Sequence, residues 1–428
     1  MKRFLKYSMI IILALFSFFS IVKHILINDT SERQKVEAWW DEKLAYLNDT
    51  YHIQNDFLEA VFEDEWNESI VEQSITGEQV RFPQESVLVA YYQLTEDEQA
   101  IYQRLRDGIA VHADKIEFYP QIELSTLEKC ILCMYMDYPQ YYWYTGNYTY
   151  WQMEDTELVS SVEPEYILTK DEVAENESVL CTITDTILQN VPKESSDYEK
   201  VKYIYESLIA FTEYSPGCKY DQSLASVFLC GESVCAGYAK AFQYLLQKIG
   251  IPCIYISGDA LSIRNENETW EPHAWNMIEL DGQYYYVDVT WGDPFPLENG
   301  EKKEIEYGYL CGMPETFEKY HAANVPVELP ECTMGDYEYY QLAGMRFASF
   351  EYGNIRDTLA ELTKNGQITM SFAFDHTEDY NTMIEELLDH ELGKKAGQIR
   401  ADMTDKDYWH YEVKHDDYLQ CVEVTWVE

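Results

Sequence analysis

At 428 residues the chain is too long for one ordinary core and suggests two or three domains. Its make-up, 46% hydrophobic, 25% charged and 15% aromatic, is that of a globular protein and excludes a disordered one. Thirty-one basic against seventy-seven acidic residues leave a formal net charge of -46, which argues strongly against nucleic acid or anionic membrane surfaces as partners and permits a cationic substrate such as a lysine-rich peptide. The plainer reading is that the acidity keeps an exported protein soluble.

The chain opens MKRFLKYSMIIILALFSFFSIVKHILIN. Lys2, Arg3 and Lys6 precede an uncharged apolar run from Tyr7 to Val22, the pattern of an export signal. No A-x-A-like cleavage site and no lipobox cysteine follow. With Lys23 and His24 snorkelling, residues 1–27 are long enough to span about 30 Å of hydrocarbon. The positive end then stays in the cytoplasm and the body lies outside. Residues 1–27 are thus expected to be an uncleaved signal anchor, with secretion after cleavage as the alternative. Residues 28–85 are acidic and helical in pattern and read as a stalk.

An α/β region is expected over residues 86–190. TEDEQAIYQRL and STLEKCIL each place a glutamate three residues after Thr95 or Ser125, the capping-box spacing, so helices are predicted to begin there. DYPQYYWYTGNYTYW, Asp137 to Trp151, ends the second helix at Pro139 and continues as an aromatic strand or loop, either buried or a glycan-binding platform. A further helix is predicted over Asp197–Phe211, with Val201, Ile204, Leu208 and Phe211 on one face. From about Pro330 the character changes. NGQITMSFAF gives a turn and then alternation of Ile368, Met370, Phe372 and Phe374, hence a strand. With a helix near Asn381–Leu392 and a terminal strand in YLQCVEVTW, residues 330–428 read as a small α+β domain.

The chemistry concentrates in the middle. In CGESVCAGYAKAFQYLLQKIG, Cys230 to Gly250, the residues Tyr238, Phe242, Leu245 and Ile249 fall at helical spacing and Gly250 with Pro252 ends the helix. Cys235 therefore sits in the first turn and Cys230 in the preceding loop. Backbone N–H groups at a helix N-terminus favour the thiolate, so position makes Cys235 the better nucleophile. A first-turn cysteine without partners is more often structural. In HAWNMIELDGQYYYVDVTWGDP, Asp281-Gly282 is a two-residue hairpin signal. Leu280 then faces Gln283, His273 faces Thr290 and Trp275 faces Asp288. His273 and Asp288 become diagonal neighbours on one face, roughly 7–8 Å apart at the backbone. The set supplies a thiol, an imidazole to take its proton and a carboxylate to orient the imidazole.

Other readings fit less well. Zinc would want closely spaced ligand pairs, whereas Cys230 and Cys235 have no C-x-x-C partner. GESVC misses the G-x-S-x-G elbow, and DMTDKD lacks the glycine and glutamate of a calcium loop. No metal or organic cofactor is called for. Ten irregularly spaced cysteines leave the disulfide question open. Gln222 is a candidate oxyanion donor, being an amide side chain shortly before the nucleophile; an ordinary polar loop residue is the plainer account. Trp275 and Trp291 flank the triad positions as candidate pocket walls, with core packing equally apt.

These stretches also carry a resemblance. GESVCAGYAKAFQYLL, GIPCIYISGDA and HAWNMIELDGQYYYVDVTWGDP resemble the transglutaminase-like superfamily, specifically its bacterial exported members, over about Asp197 to Pro294. The resemblance implies an α+β, papain-like core over residues 191–329, with Cys235 on a helix packed against an antiparallel sheet carrying His273 and Asp288. It also implies acyl transfer from an amide through a thioester, with a protein or peptide substrate, basic or cell-wall associated. The expectation is an extracellular cysteine-dependent amide hydrolase or acyltransferase, peptidase rather than cross-linker. The alternative is a non-catalytic surface module that binds glycan or protein through the aromatic stretch.

Overall fold

The structure of the protein, a computed structural model, describes residues 88–153, 156–264, 267–293, 305–388, 391–406 and 408–427. The expected signal anchor and stalk lie outside the described residues, among which no helix is long and apolar enough to cross a membrane. The chain divides into two units that alternate along the sequence. One holds the described residues up to Ile256 with Ala274–Asn276 and Val325–Glu328; the other holds Ser257–His273, Met277–Asn324 and Leu329–Glu428.

The first unit begins with α1 (Glu96–Ala110), started by a complete capping box: the Thr95 hydroxyl accepts from the Glu98 N–H, and the Glu98 carboxylate accepts from the Thr95 N–H. β1 (Ile116–Ile122) and α2 (Leu124–Asp137) follow. The start predicted at Ser125 is one residue late and its box does not form, because Glu123 is the N-cap and no side chain caps the helix. The buried face of Leu127, Cys130, Ile131 and Met134 sets the phase of this helix, so packing outweighs the local capping signal. β2 (Tyr144–Gln152) and β3 (Val159–Tyr166) complete an antiparallel three-stranded sheet in the order β1-β3-β2.

The tyrosine-rich stretch serves two purposes. Tyr138, Tyr141, Tyr142, Trp143 and Tyr144 are core residues, whereas Tyr150 and Trp151 face solvent. Trp143 satisfies its indole by donating to the Ile109 carbonyl at 3.1 Å. α3 (Lys170–Gln189) and α4 (Asp197–Phe211) each start with a capping box, at Thr169 and Ser196, and the predicted face of α4 is buried at Val201, Ile204, Leu208 and Phe211. A two-residue parallel pair, β4 (Glu213–Tyr214) and β5 (Glu232–Ser233), brackets a short π-helical turn at Ser226–Cys230 that Gly231 closes. Then comes α5 (Cys235–Lys248), whose Tyr238, Phe242 and Leu245 have no exposure at all. Gly250, at φ +83°, ends it.

A five-stranded sheet follows in the order β10-β6-β7-β8-β9, built from β6 (Cys253–Arg264), β7 (Asn267–Leu280), β8 (Gln283–Val287), β9 (Leu310–Gly312) and β10 (His321–Ala323). Between β8 and β9 lies the one-turn helix α6 (Val289–Gly292), and α7 (Pro314–Tyr320) leads into β10. β7 and β8 are joined, as predicted, by Asp281-Gly282 alone, with φ of 52° and 76°, the positive pair a tight hairpin turn requires.

Within the second unit, residues beyond 345 form a further sheet in the order β11-β12-β14-β13, from β11 (Arg346–Phe347), β12 (Thr369–Phe374), β13 (His410–Asp416) and β14 (Cys421–Val427). α8 (Tyr352–Lys364), α9 (Thr377–Leu388) and α10 (Lys394–Thr404) accompany it, and Ile355, Leu359, Phe372, Met383, Val422 and Trp426 belong to one apolar cluster. Met370, Phe372 and Phe374 are buried in β12, but Ile368 precedes the strand and is exposed. α9 begins at Thr377, earlier than the expected Asn381, with Glu378 and Asp379 supplying acidic residues to its first turn, and it ends at Leu388 rather than Leu392. The fold is α+β, with larger sheets that are mainly antiparallel and helices interleaved with the strands along the chain.

Candidate active site

Cys235 is the first residue of α5, half-buried, with the extended Val234 as N-cap. Val234 has no side chain that can hydrogen-bond the first-turn N–H groups, so none of them is taken by its cap. Cys230 closes the preceding turn and lies outside the helix. All ten cysteines are free thiols. The glycine of Cys-Ala-Gly-Tyr has a steric cause: a Cβ at Gly237 would lie 1.9 Å from the Ser233 hydroxyl and 2.9 Å from the Ser223 carbonyl. Ser233 is held there by Ser226 at 2.6 Å and by the Asp221 carbonyl at 3.1 Å.

Further along α5, Lys240 is buried with its Nζ 3.3 Å from the centre of the Tyr135 ring and 5.5 Å from that of Tyr255. Burial holds its pKa well below the usual lysine value. Tyr255 is itself pushed up, first by burial and then by Tyr135 and Cys235, which places it within electrostatic reach of the sulfur. Asn276, fully buried on β7, donates through Nδ2 to the Ala239 carbonyl of α5 at 3.0 Å and the Ile254 carbonyl of β6 at 3.3 Å. That asparagine ties helix and strands together, which is the physical role of the fourth residue of His-Ala-Trp-Asn.

His273 Nε2 lies 2.7 Å from Asp288 Oδ2. The sequence led to His273 and Asp288 as diagonal strand neighbours, and they do meet. Asp288, however, is not a strand residue. β8 stops at Val287, and Asp288 is the N-cap of α6, with Oδ1 accepting from the N–H groups of Thr290 and Trp291 at 3.0 Å each. Its own N–H donates to the Tyr309 carbonyl at 2.9 Å. The cap fixes one carboxylate oxygen on backbone and turns the other toward the imidazole. Asp288 has no exposed surface. Burial alone would raise its pKa, but the charge and hydrogen bond of His273, joined by those of His321, outweigh that and hold the carboxyl well below the usual range.

His321 was not anticipated. Its Nε2 is 3.1 Å from the same Asp288 Oδ2, and its Nδ1 is 3.1 Å from the Phe317 carbonyl, which can only accept, so Nδ1–H donates there. Burial pulls the His321 pKa down, with the bond and charge of Asp288 opposing. Nothing in EKYHAANVP marks this histidine, because it reaches Asp288 from a strand 33 residues further on. Trp291 packs against both imidazoles, with ring centres 5.5 Å from His273 and 4.5 Å from His321. Trp275 is only 1% exposed and is a core residue of β7. Gln222 is exposed in the turn before β5. Of the residues singled out from sequence, the structure brings together His273, Asp288 and Trp291, and sets Cys235 at the head of α5.

Residues 185–289 match the sequence pattern of the transglutaminase-like superfamily. The kyphoscoliosis peptidase of Mus musculus is 23% identical over 131 residues, covering 28% of this chain and 20% of that protein. The kyphoscoliosis peptidase of Homo sapiens is 24% identical over 118 residues, covering 25% and 18%. The chain thus spans about a fifth of the length of these curated relatives. A crystal structure of a TGase aligns over 34% of this chain and 44% of that chain, at 15% identity and a TM-score of 0.24. Residues 185–289 thus carry a transglutaminase-like domain.

Proposed function

We propose that the protein is an extracellular cysteine-dependent amide hydrolase or acyltransferase, with Cys235 as nucleophile, His273 as general base and Asp288 as the group that orients the imidazole. The observation that carries this reading is the 2.7 Å pair of the part-buried His273 and the fully buried Asp288, in a superfamily domain whose helix α5 begins at a cysteine. With Nε2–H given to Asp288, Nδ1 is the nitrogen left to act as base. It takes the thiol proton, the sulfur attacks an amide carbonyl, and the tetrahedral adduct expels an amine that receives the proton from His273. Water then cleaves the thioester in a peptidase, or a second amine does so in an acyltransferase.

Peptidase action is the preferred branch, and the curated relatives bear that name. The substrate is a protein or peptide, its basic character suggested by the net charge of -46. Gln222 is the oxyanion candidate, and residues 1–27 would anchor the protein at the outer face of the cytoplasmic membrane. The test is mass spectrometry after brief iodoacetamide treatment at about pH 6, with Cys235→Ala and His273→Ala as controls, followed by a broad peptide panel. Selective modification of Cys235 that depends on His273 supports the reading; uniform or absent modification with no turnover refutes it. A second reading, a glycan- or protein-binding module, is favoured by the solvent-facing Tyr150 and Trp151 on β2. It requires binding that survives Cys235→Ala and is lost when those two rings are removed.

A further inference from the structure

We propose that His273, Asp288 and His321 together form a site for a zinc-like divalent metal ion, one that competes with the base function of His273. Their three donor atoms, two imidazole nitrogens and one carboxylate oxygen, lie within 4.8 Å of one another. Each donor is already oriented as a metal ligand would be. Asp288 Oδ1 is occupied by the N–H groups of Thr290 and Trp291, so Oδ2 is the oxygen presented to the imidazoles. His321 gives its Nδ1 proton to the Phe317 carbonyl, the outer contact that fixes tautomer and ring plane in metal-bound histidines.

His321 Nε2 and Asp288 Oδ2 lie 3.1 Å apart. Two electron-rich atoms at that distance repel unless a cation lies between them, either a proton or a metal ion. The stacked Phe317 ring, centred 3.9 Å from that of His321, and the Trp291 ring limit the imidazole's freedom to turn away. Two imidazoles and one carboxylate suit zinc, and are too few and too nitrogen-rich for calcium or magnesium. Bonds of about 2.0–2.1 Å in a tetrahedron set ligand atoms about 3.3 Å apart. The present separations from Oδ2, 2.7 and 3.1 Å, call for retreats of about 0.6 Å by the His273 ring and about 0.2 Å by the His321 ring. The fourth position falls to water.

The effect on catalysis rests on the triad reading above. In neutral His273 the proton is on Nε2 and the base is Nδ1. A metal ion that takes Nε2 moves this proton to Nδ1, with no net release, and the nitrogen meant to receive the thiol proton is already protonated. When His273 starts as the imidazolium of an ion pair with Cys235, one proton leaves to solvent and Nδ1 again keeps the other. In both cases the ion disables the base without touching the sulfur.

The test titrates the full-length chain with zinc chloride against a chromophoric chelator, for wild type, Cys235→Ala and His321→Gln. Wild type and Cys235→Ala are expected to bind one equivalent equally well, and His321→Gln at least about tenfold more weakly. Cobalt(II) on the wild type is expected to give visible d–d bands without thiolate charge transfer. Failure of the wild type to bind a stoichiometric ion, unchanged affinity in His321→Gln, or a sulfur charge-transfer band would each overturn the site. The cobalt spectrum needs no variant, so it decides the matter even if His321→Gln does not fold. Because uptake by Cys235→Ala involves no chemistry at the sulfur, a protein whose Cys235 proved unreactive would lose its assigned activity while the metal site stood or fell separately.

Discussion

His273 and Asp288 meet at 2.7 Å because the aspartate leaves the strand. β8 ends one residue before it, and the carboxylate caps α6 with one oxygen while the other receives the imidazole. A single side chain thus ends a strand, starts a helix and orients a base. Its geometry is therefore held by two backbone N–H groups rather than by rotamer preference alone.

Replacing Asp288 with asparagine separates these roles. The amide oxygen can still accept from Thr290 and Trp291, but the NH₂ group then faces His273 as a donor and forces the proton onto Nδ1. Alkylation of Cys235 at about pH 6 is expected to fall about a hundredfold. An unchanged rate in a variant with unchanged circular dichroism would show that the pair does not activate the sulfur. The pH dependence has a definite sign. The carboxyl is depressed in the fold, so its stabilising contribution is complete above about pH 4 and is lost as pH falls toward the folded-state pKa.

Asp137 should behave in the opposite way. It is buried at the end of α2, where it accepts from Ala90 N–H, Tyr91 N–H and the Tyr102 hydroxyl. Burial outweighs those three bonds and pushes it up to about 7. A raised carboxyl contributes stability fully below about pH 4, and that contribution disappears as pH rises through about 7, by at most about 1.4 kcal/mol per pH unit. Urea midpoints are expected to fall between pH 5 and pH 8 (about the span of the transition) more steeply in wild type than in Asp137→Asn. Parallel curves for the two proteins would contradict this.

Gly237→Ala tests why the motif contains a glycine. Its new Cβ meets Ser233 Oγ at 1.9 Å and backbone oxygens at 2.9 and 3.0 Å, and only the hydroxyl can yield cheaply. A loss of about 1–3 kcal/mol is expected by chemical denaturation. Stability within a few tenths of wild type would mean that the loop before β5 gives way more readily than its hydrogen bonds suggest.

Asn276 is expected to be similarly intolerant. Asn276→Ala removes one hydrogen-bond donor from each of two buried carbonyls, those of Ala239 and Ile254, at a cost of about 1–3 kcal/mol. Asn276→Asp sets a carboxylate against the same two oxygens and should be worse, recovering in part at acid pH as the group is protonated. If the aspartate variant were the more stable at neutral pH, Asn276 would not be donating to those carbonyls.

Legibility followed the range of the interactions involved. Capping at Thr95, the periodicity of α4 and α5 and the turn at Asp281-Gly282 are local, and all were plain from spacing. The supposed start at Ser125 was a local signal overruled by a buried face. Ile368 lies one residue before β12 and is exposed, although its carbonyl still accepts from the Trp426 N–H of β14 at 2.9 Å. The aromatic run that follows the helix end at Pro139 read as a strand or loop that is either buried or exposed, yet its first half is core and its second half solvent-facing. Composition cannot make that division, because it depends on which side of the sheet another layer covers.

By itself, the sequence determined the helix that carries Cys235 in its first turn and the turn at Asp281-Gly282 that brings His273 and Asp288 into one neighbourhood, since periodicity and a two-residue turn act over a few residues. The α+β core was what the motif resemblance implied. Only the tertiary structure decided that Asp288 is a helix cap and that His321 shares its oxygen. It also decided that Gly237 and Asn276 are bound to their types by close approach and buried carbonyls. Those choices depend on groups brought together from distant parts of the chain, where burial penalises every unpaired polar atom and no local pattern records the partner.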